Sequence, residues 1–270
     1  MAANFLSVET NPVGIHYNPI SLGRSLEPHP TPQLFAHFGL WRSLDHHGHL
    51  TAPSARECGE VLRSAEERLK QALDPAQVML LTLGTAQVFE TVAHRRVVAN
   101  CHRLPQRLFQ RRRLGVQECV GALWPPLTRW LDKDERRRVI LTVSPVRYLR
   151  DGLVNNNRGK SVLLLTCAEL ESDHPRIEYF PAFEILLDEL RDYRFYADDM
   201  VQPSAVAVDY IWQLFCRRYF PSTVEELTRL AQKVRALEAH RPSGQTDLEH
   251  LRAKRATLME KIRTLIPVHE

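Results

Sequence analysis

The sequence predicts a three-layer α/β fold, a parallel sheet with helices on both faces, followed by a C-terminal helical hairpin. Two observations carry that prediction. Short apolar runs that end in turn formers alternate with stretches of helical periodicity, the pattern of parallel strands joined by crossover helices. Beyond residue 221 the runs stop and two amphipathic stripes follow. A chain of 270 residues is long enough to bury such a core without disulfides.

Residues 1–32 hold many turn formers, including Asn11, Pro12, Gly14, Asn18 and Pro19. They read as a long ordered loop, preceded by a short strand at Phe5–Val8. Ser54 caps a helix to Leu73, with Val61, Leu62, Ala65, Leu69 and Leu73 at helical spacing. Val78–Leu83 is a buried strand running into Gly84–Thr85. A helix over Val116–Leu131 leads to a second strand, Val139–Val143, which ends at Ser144–Pro145. Lys160–Glu171 is helical, with Leu163, Cys167 and Leu170 on one face, and Ile177–Phe180 is a weaker third strand. A helix over Ser204–Tyr219 closes a domain of residues 1–221. In residues 222–270, Leu227, Leu230, Val234 and Leu237 form one stripe. Leu248, Leu251, Leu258, Ile262 and Leu265 form another, across a break at Arg241–Gly244. This tail is a helical hairpin, laid on the domain or used for self-association.

Composition narrows the function classes. The 36 Lys and Arg exceed the 32 Asp and Glu by four, too few to argue for nucleic acid. The basic clusters Arg111–Arg113 and Arg136–Arg138 read as solvated helix ends. Five scattered cysteines without a CxxC spacing point to reduced thiols and a cytoplasmic protein. No basic-then-apolar leader and no membrane-spanning run is visible, so no membrane partner is expected. His46, His47 and His49 are too close in a loop, and too poorly supported by other ligands, to be read as a metal site. No cofactor is expected.

In an open α/β sheet, ligands bind at the carboxyl ends of the strands. Polar residues gather there: Gly84 and Thr85, then Asn100 and His102; Ser144, Arg147 and Tyr148, then Asp151, Gly152 and Asn155; and the stretch to Asp199 and Gln202. Arg191, Asp192 and Arg194 read as an ion-pair network, and Tyr193, Phe195 and Tyr196 as core.

Five blocks resemble the GSCFA family in order: NPVGIHYNPIS at 11–21, LTLGTAQVF at 81–89, VVANCHRLP at 97–105, TVSPVRYLRDG at 142–152 and LLDELRDYRFYADDM at 186–200. The resemblance spans roughly residues 5–220. That family is grouped with the SGNH (GDSL-like) hydrolases, so it implies a flavodoxin-like fold and esterase chemistry: a serine nucleophile, an Asp-x-x-His element and preplaced oxyanion donors. The substrate class so implied is an acylated carbohydrate or another small-molecule acyl ester.

Residue by residue, the resemblance makes Gly14 the second-block glycine, with Asn18 beside it. It puts Gly84 and Thr85 at the oxyanion turn, where Ala86 replaces the asparagine and Asn100 is the alternative amide. Ser144 joins the substrate-binding set. Asp199 and Gln202 occupy the Asp-x-x-His positions, with glutamine where the base belongs; His102 is the substitute base. The Gly-Ser-Cys-Phe-Ala string that names the family has no counterpart here. The resemblance therefore implies that the first strand, with its nucleophile elbow, is missing, through a real truncation or a misplaced start codon. Its absence would leave strand edges and apolar surface uncovered. A hydrolase and a catalytically inactive binding module are both compatible with these residues.

Overall fold

The computed structural model describes residues 8–27, 32–239 and 245–265. The strand foreseen at Phe5–Val8 lies largely outside them. The chain divides into two compact units. One runs from Asn11 to Ala207, and the described part of the other is Val8–Thr10 with residues 208–239 and 245–265.

The larger unit is built on three parallel strands, β3 (Val78–Leu83), β7 (Arg138–Val143) and β8 (Ile177–Tyr179), in the order β3-β7-β8. Register pairs Leu81 with Leu141 and Val139 with Ile177. Helices α3 (Val116–Leu131) and α4 (Gly152–Asp173) pack against one face. There Leu123, Leu127, Leu141, Leu163 and Leu170 are fully buried, each contributing about 2 kcal/mol of transfer free energy. On β7, Ile140 and Thr142 point the other way and are buried as well. The short helix α5 (Ala182–Glu184), which continues into a π-helical turn at Ile185–Leu190, contacts that strand. Strand β3 is an edge strand, and its Val78 and Leu80 are 55% and 41% exposed. The architecture is thus α/β with a three-stranded parallel sheet and flanking helices.

Around this sheet lie elements that the periodicity does not reveal. Helix α1 (Pro19–Ser25) interrupts the supposed loop of residues 1–32. Its signal is the dipeptide Asn18–Pro19: the Asn18 side chain accepts from Ser21 N, and proline starts the helix. A hairpin, β1 (Leu34–His37) and β2 (Leu40–Ser43), packs on α2 (Ala55–Leu73). A second, antiparallel sheet has the order β5-β4-β6, from β4 (Gln87–Thr91), β5 (Val97–Val98) and β6 (Phe109–Arg113). Arg111–Arg113 are therefore strand residues, not a helix end; Arg112 pairs with Glu90 and Glu118. Helix α4 begins at Gly152, eight residues before the periodic stripe, because the polar run Asn155–Asn157 hides its first turns. Of the aromatic set expected in the core, Tyr196 is buried and Tyr193 is exposed.

Helix α1 lies so close to α3 that a Cβ on Gly23 would sit 2.1 Å from the Ala122 carbonyl oxygen. Backbone cannot yield as a side chain does, so Gly23→Ala is expected to lose about 3 kcal/mol. A urea midpoint within error of wild type would contradict that close packing.

Helix α6 (Ala205–Tyr219) crosses from one unit into the next, which also holds α7 (Ser222–Ala239) and α8 (Gln245–Leu265). Helices α7 and α8 form the expected hairpin, with Leu227, Leu230, Val234 and Ile262 buried between them. Among the described residues no helix is long and apolar enough to cross a membrane.

Candidate functional site

Parallel strands β3 and β7 end side by side, and Lys160 joins them. Its ammonium donates to Gly84 O and to Ser144 O, both at 2.6 Å. The residue is 2% exposed. Lys160 stands on the same stripe of α4 as Leu163, Cys167 and Leu170, so the helix aims it into the core. One turn earlier, Asn156 Oδ1 accepts from Tyr148 N at 2.8 Å. The start of α4 thus fixes the whole loop after β7. Burial pushes the Lys160 ammonium down to about 8. The two carbonyl dipoles favour the charged form, and it remains protonated at neutral pH.

The segment 11–18 crosses the end of β3. Gly84 N and Thr85 N both donate to Tyr17 O at 2.9 Å. Thr85 Oγ1 accepts from Gln87 N, and Ser144 Oγ from Val146 N, so each hydroxyl closes its own turn. Asn18 is the cap of α1, with its amide nitrogen on Ser21 Oγ. Gly14 has φ +87 and touches the loop of His46–His49.

The turn at Ala197–Gln202 meets the loop after β7. Arg147 N donates to Val201 O, and its guanidinium reaches Met200 O at 3.1 Å while lying 4.0 Å from the Tyr196 ring centre. Within the turn Asp199 Oδ1 accepts from the amides of Val201 and Gln202. These two bonds hold the exposed carboxylate below its ordinary pKa. Gln202 is exposed as well.

Asn100 and His102 belong to a different group. Asn100 Oδ1 accepts from His102 N, and its amide nitrogen faces Gly48. His102 is buried with Nε2 2.7 Å from Ser43 O. That carbonyl accepts, so Nε2 carries the proton and Nδ1 keeps a lone pair; among the described residues the buried Nδ1 has no hydrogen-bond partner. Burial lowers the His102 pKa, the carbonyl bond opposes it, and Arg42, His47 and His37 add to the lowering. The imidazole is neutral at pH 7. These residues line a cavity of about 620 Å³ with Phe38, Arg42, Gly48 and Arg103. Neither Gly84 nor Asp199 lines it. Asp45, in the adjoining loop, is held by Arg24 at 2.8 Å and Arg96 at 2.6 Å.

The structure therefore brings Gly84, Thr85 and Ser144 together at the strand ends, with the Asp199–Gln202 turn held through Arg147 against the loop after β7. It gathers Asn100 and His102 into a neighbouring pocket. Lys160, Arg42, Arg103 and Phe38 were not anticipated. Lys160 had a signal, a lysine in phase with an apolar helical stripe.

A three-stranded parallel sheet with flanking helices, whose strand-end loops gather polar residues, is the architecture of an α/β domain. The chain belongs to the GSCFA family, whose model matches residues 1–215. No curated protein and no solved structure gave a match.

Proposed function

We propose that this GSCFA domain is an SGNH-type acyl-ester site that binds its ligand, an acylated carbohydrate or other acyl ester, without cleaving it through residues 199 and 202. The Asp199 turn carries this reading. Its Oδ1 accepts from two backbone amides, and the residue at the base position is a glutamine. Glutamine accepts no proton near neutral pH. Gly84 and Thr85 give their amides to Tyr17 O and so are not offered to an acyl oxygen, while the Asn100 amide lies on the separate His102 cavity.

A hydrolytic reading has one observation in its favour. His102 is a neutral imidazole whose Nε2 is held by a carbonyl and whose buried Nδ1 lone pair has no partner among the described residues, the protonation state a general base needs. The purified chain is expected to hydrolyse p-nitrophenyl acetate at the buffer rate, and Gln202→His to leave that rate unchanged. Turnover above background that disappears in His102→Ala would replace binding by catalysis.

A further inference from the structure

The pocket beside His102 has features that neither the fold nor acyl chemistry requires. Its lining carries two guanidinium groups, Arg42 and Arg103, and no carboxylate. Arg103 is exposed and has no ion-pair partner among the described residues; Arg42 donates through Nε to His37 O and likewise meets no acid. Asp45, three residues after Arg42, is paired with two other arginines. Two uncompensated cations and an amide nitrogen around one concavity suit an anion; the His102 imidazole, whose N–H is given to Ser43 O, contributes wall and no donor.

The rim adds an aromatic face. Phe38 and Gly39 make the two-residue turn between β1 and β2, with φ +50 and +70. A turn of this kind favours Asn-Gly or Asp-Gly, because a bulky residue is disfavoured at positive φ. Phe38 adopts it nonetheless and is left 76% exposed, its ring tilted 44° to that of His37 with centroids 4.1 Å apart. In the same lining His102 and Arg103 are consecutive left-handed residues, φ +49 and +60. Strain of this kind, at two points of one cavity lining, marks a binding site more than a folding need.

We propose that this pocket binds an aromatic phosphate monoester. Arg42 and Arg103 hold the dianionic phosphate, the Asn100 amide donates to it, and Phe38 covers the ring. Two guanidinium charges match a dianion better than a carboxylate. The inference stands without the acyl reading, since binding here is measured without any turnover.

Calorimetric titration at low ionic strength tests it with three probes: phenyl phosphate, inorganic phosphate and benzoate. Phenyl phosphate is expected to saturate, and to bind more tightly than benzoate. The double variant R42A/R103A should weaken it at least tenfold. Phe38→Asn, which suits the turn better, should melt no lower than wild type. It should weaken phenyl phosphate at least fivefold yet change inorganic phosphate less than twofold. Absence of saturable binding at millimolar phenyl phosphate overturns the proposal. So does equal affinity in R42A/R103A, or benzoate binding more tightly.

Discussion

Replacing Lys160 by methionine is expected to cost about 3 kcal/mol at pH 7, read as a fall in urea midpoint with an unchanged slope. Methionine fills the same space but donates nothing. Gly84 O and Ser144 O then lose a donor each, and an abandoned buried carbonyl costs roughly 1–3 kcal/mol. Relief of the buried ammonium offsets part of this loss. The pH dependence separates the two contributions. In the folded chain Lys160 titrates near 8, and unfolded it returns to the ordinary lysine value of 10.5. Between those values the unfolded state binds more protons, so stability rises with pH. The gap between wild type and Lys160→Met should therefore widen from pH 8 to pH 10. A gap that narrows over that range would mean that the ammonium, not the amine, is the form the fold prefers.

Lys160 also shows what the sequence could and could not convey. Its face of α4 was legible, because Leu163, Cys167 and Leu170 recur at helical spacing. Its target was not, because two carbonyl oxygens leave no trace in side-chain identity. The parallel strands were readable for the same reason as the stripe: Val78–Leu83 and Val139–Val143 are apolar runs of strand length bounded by turns. The antiparallel pieces were hidden. Gln87–Thr91 and Phe109–Arg113 are five residues each and show no apolar alternation, and their partnership rests on pairs such as Glu90 with Arg112. Asp199 and Gln202 were found by resemblance, but that Asp199 spends its oxygen on two amides is a property of the turn. The His102 pocket was half visible: Asn100 and His102 stood out as polar loop residues, whereas Phe38 and Arg42 come from a hairpin that no periodicity announced.

Gly14→Ala should be at least as damaging as loss of Lys160, at roughly 3–5 kcal/mol. Two independent causes add. The backbone there is left-handed, φ +87, a conformation that disfavours any side chain by about 1–2 kcal/mol. In addition, the new methyl would lie 2.2 Å from His47 Cβ and 3.3 Å from His49 Cε1. A Cβ is fixed to the main chain, so the loop of His46–His49 would have to move. That loop carries Gly48 on the wall of the His102 cavity and the His47–His49 contact, Nδ1 to Nδ1 at 2.6 Å. Gly39 supplies the control. It is left-handed too, φ +70, yet a Cβ there meets nothing within 4 Å. Gly39→Ala should show the conformational cost alone, near 1 kcal/mol, and the difference between the two variants isolates the crowding against His47. If thermal melts of the two variants fall by the same amount, segment 11–18 does not press on the histidine loop, and Gly14 is a turn glycine with no part in shaping the site.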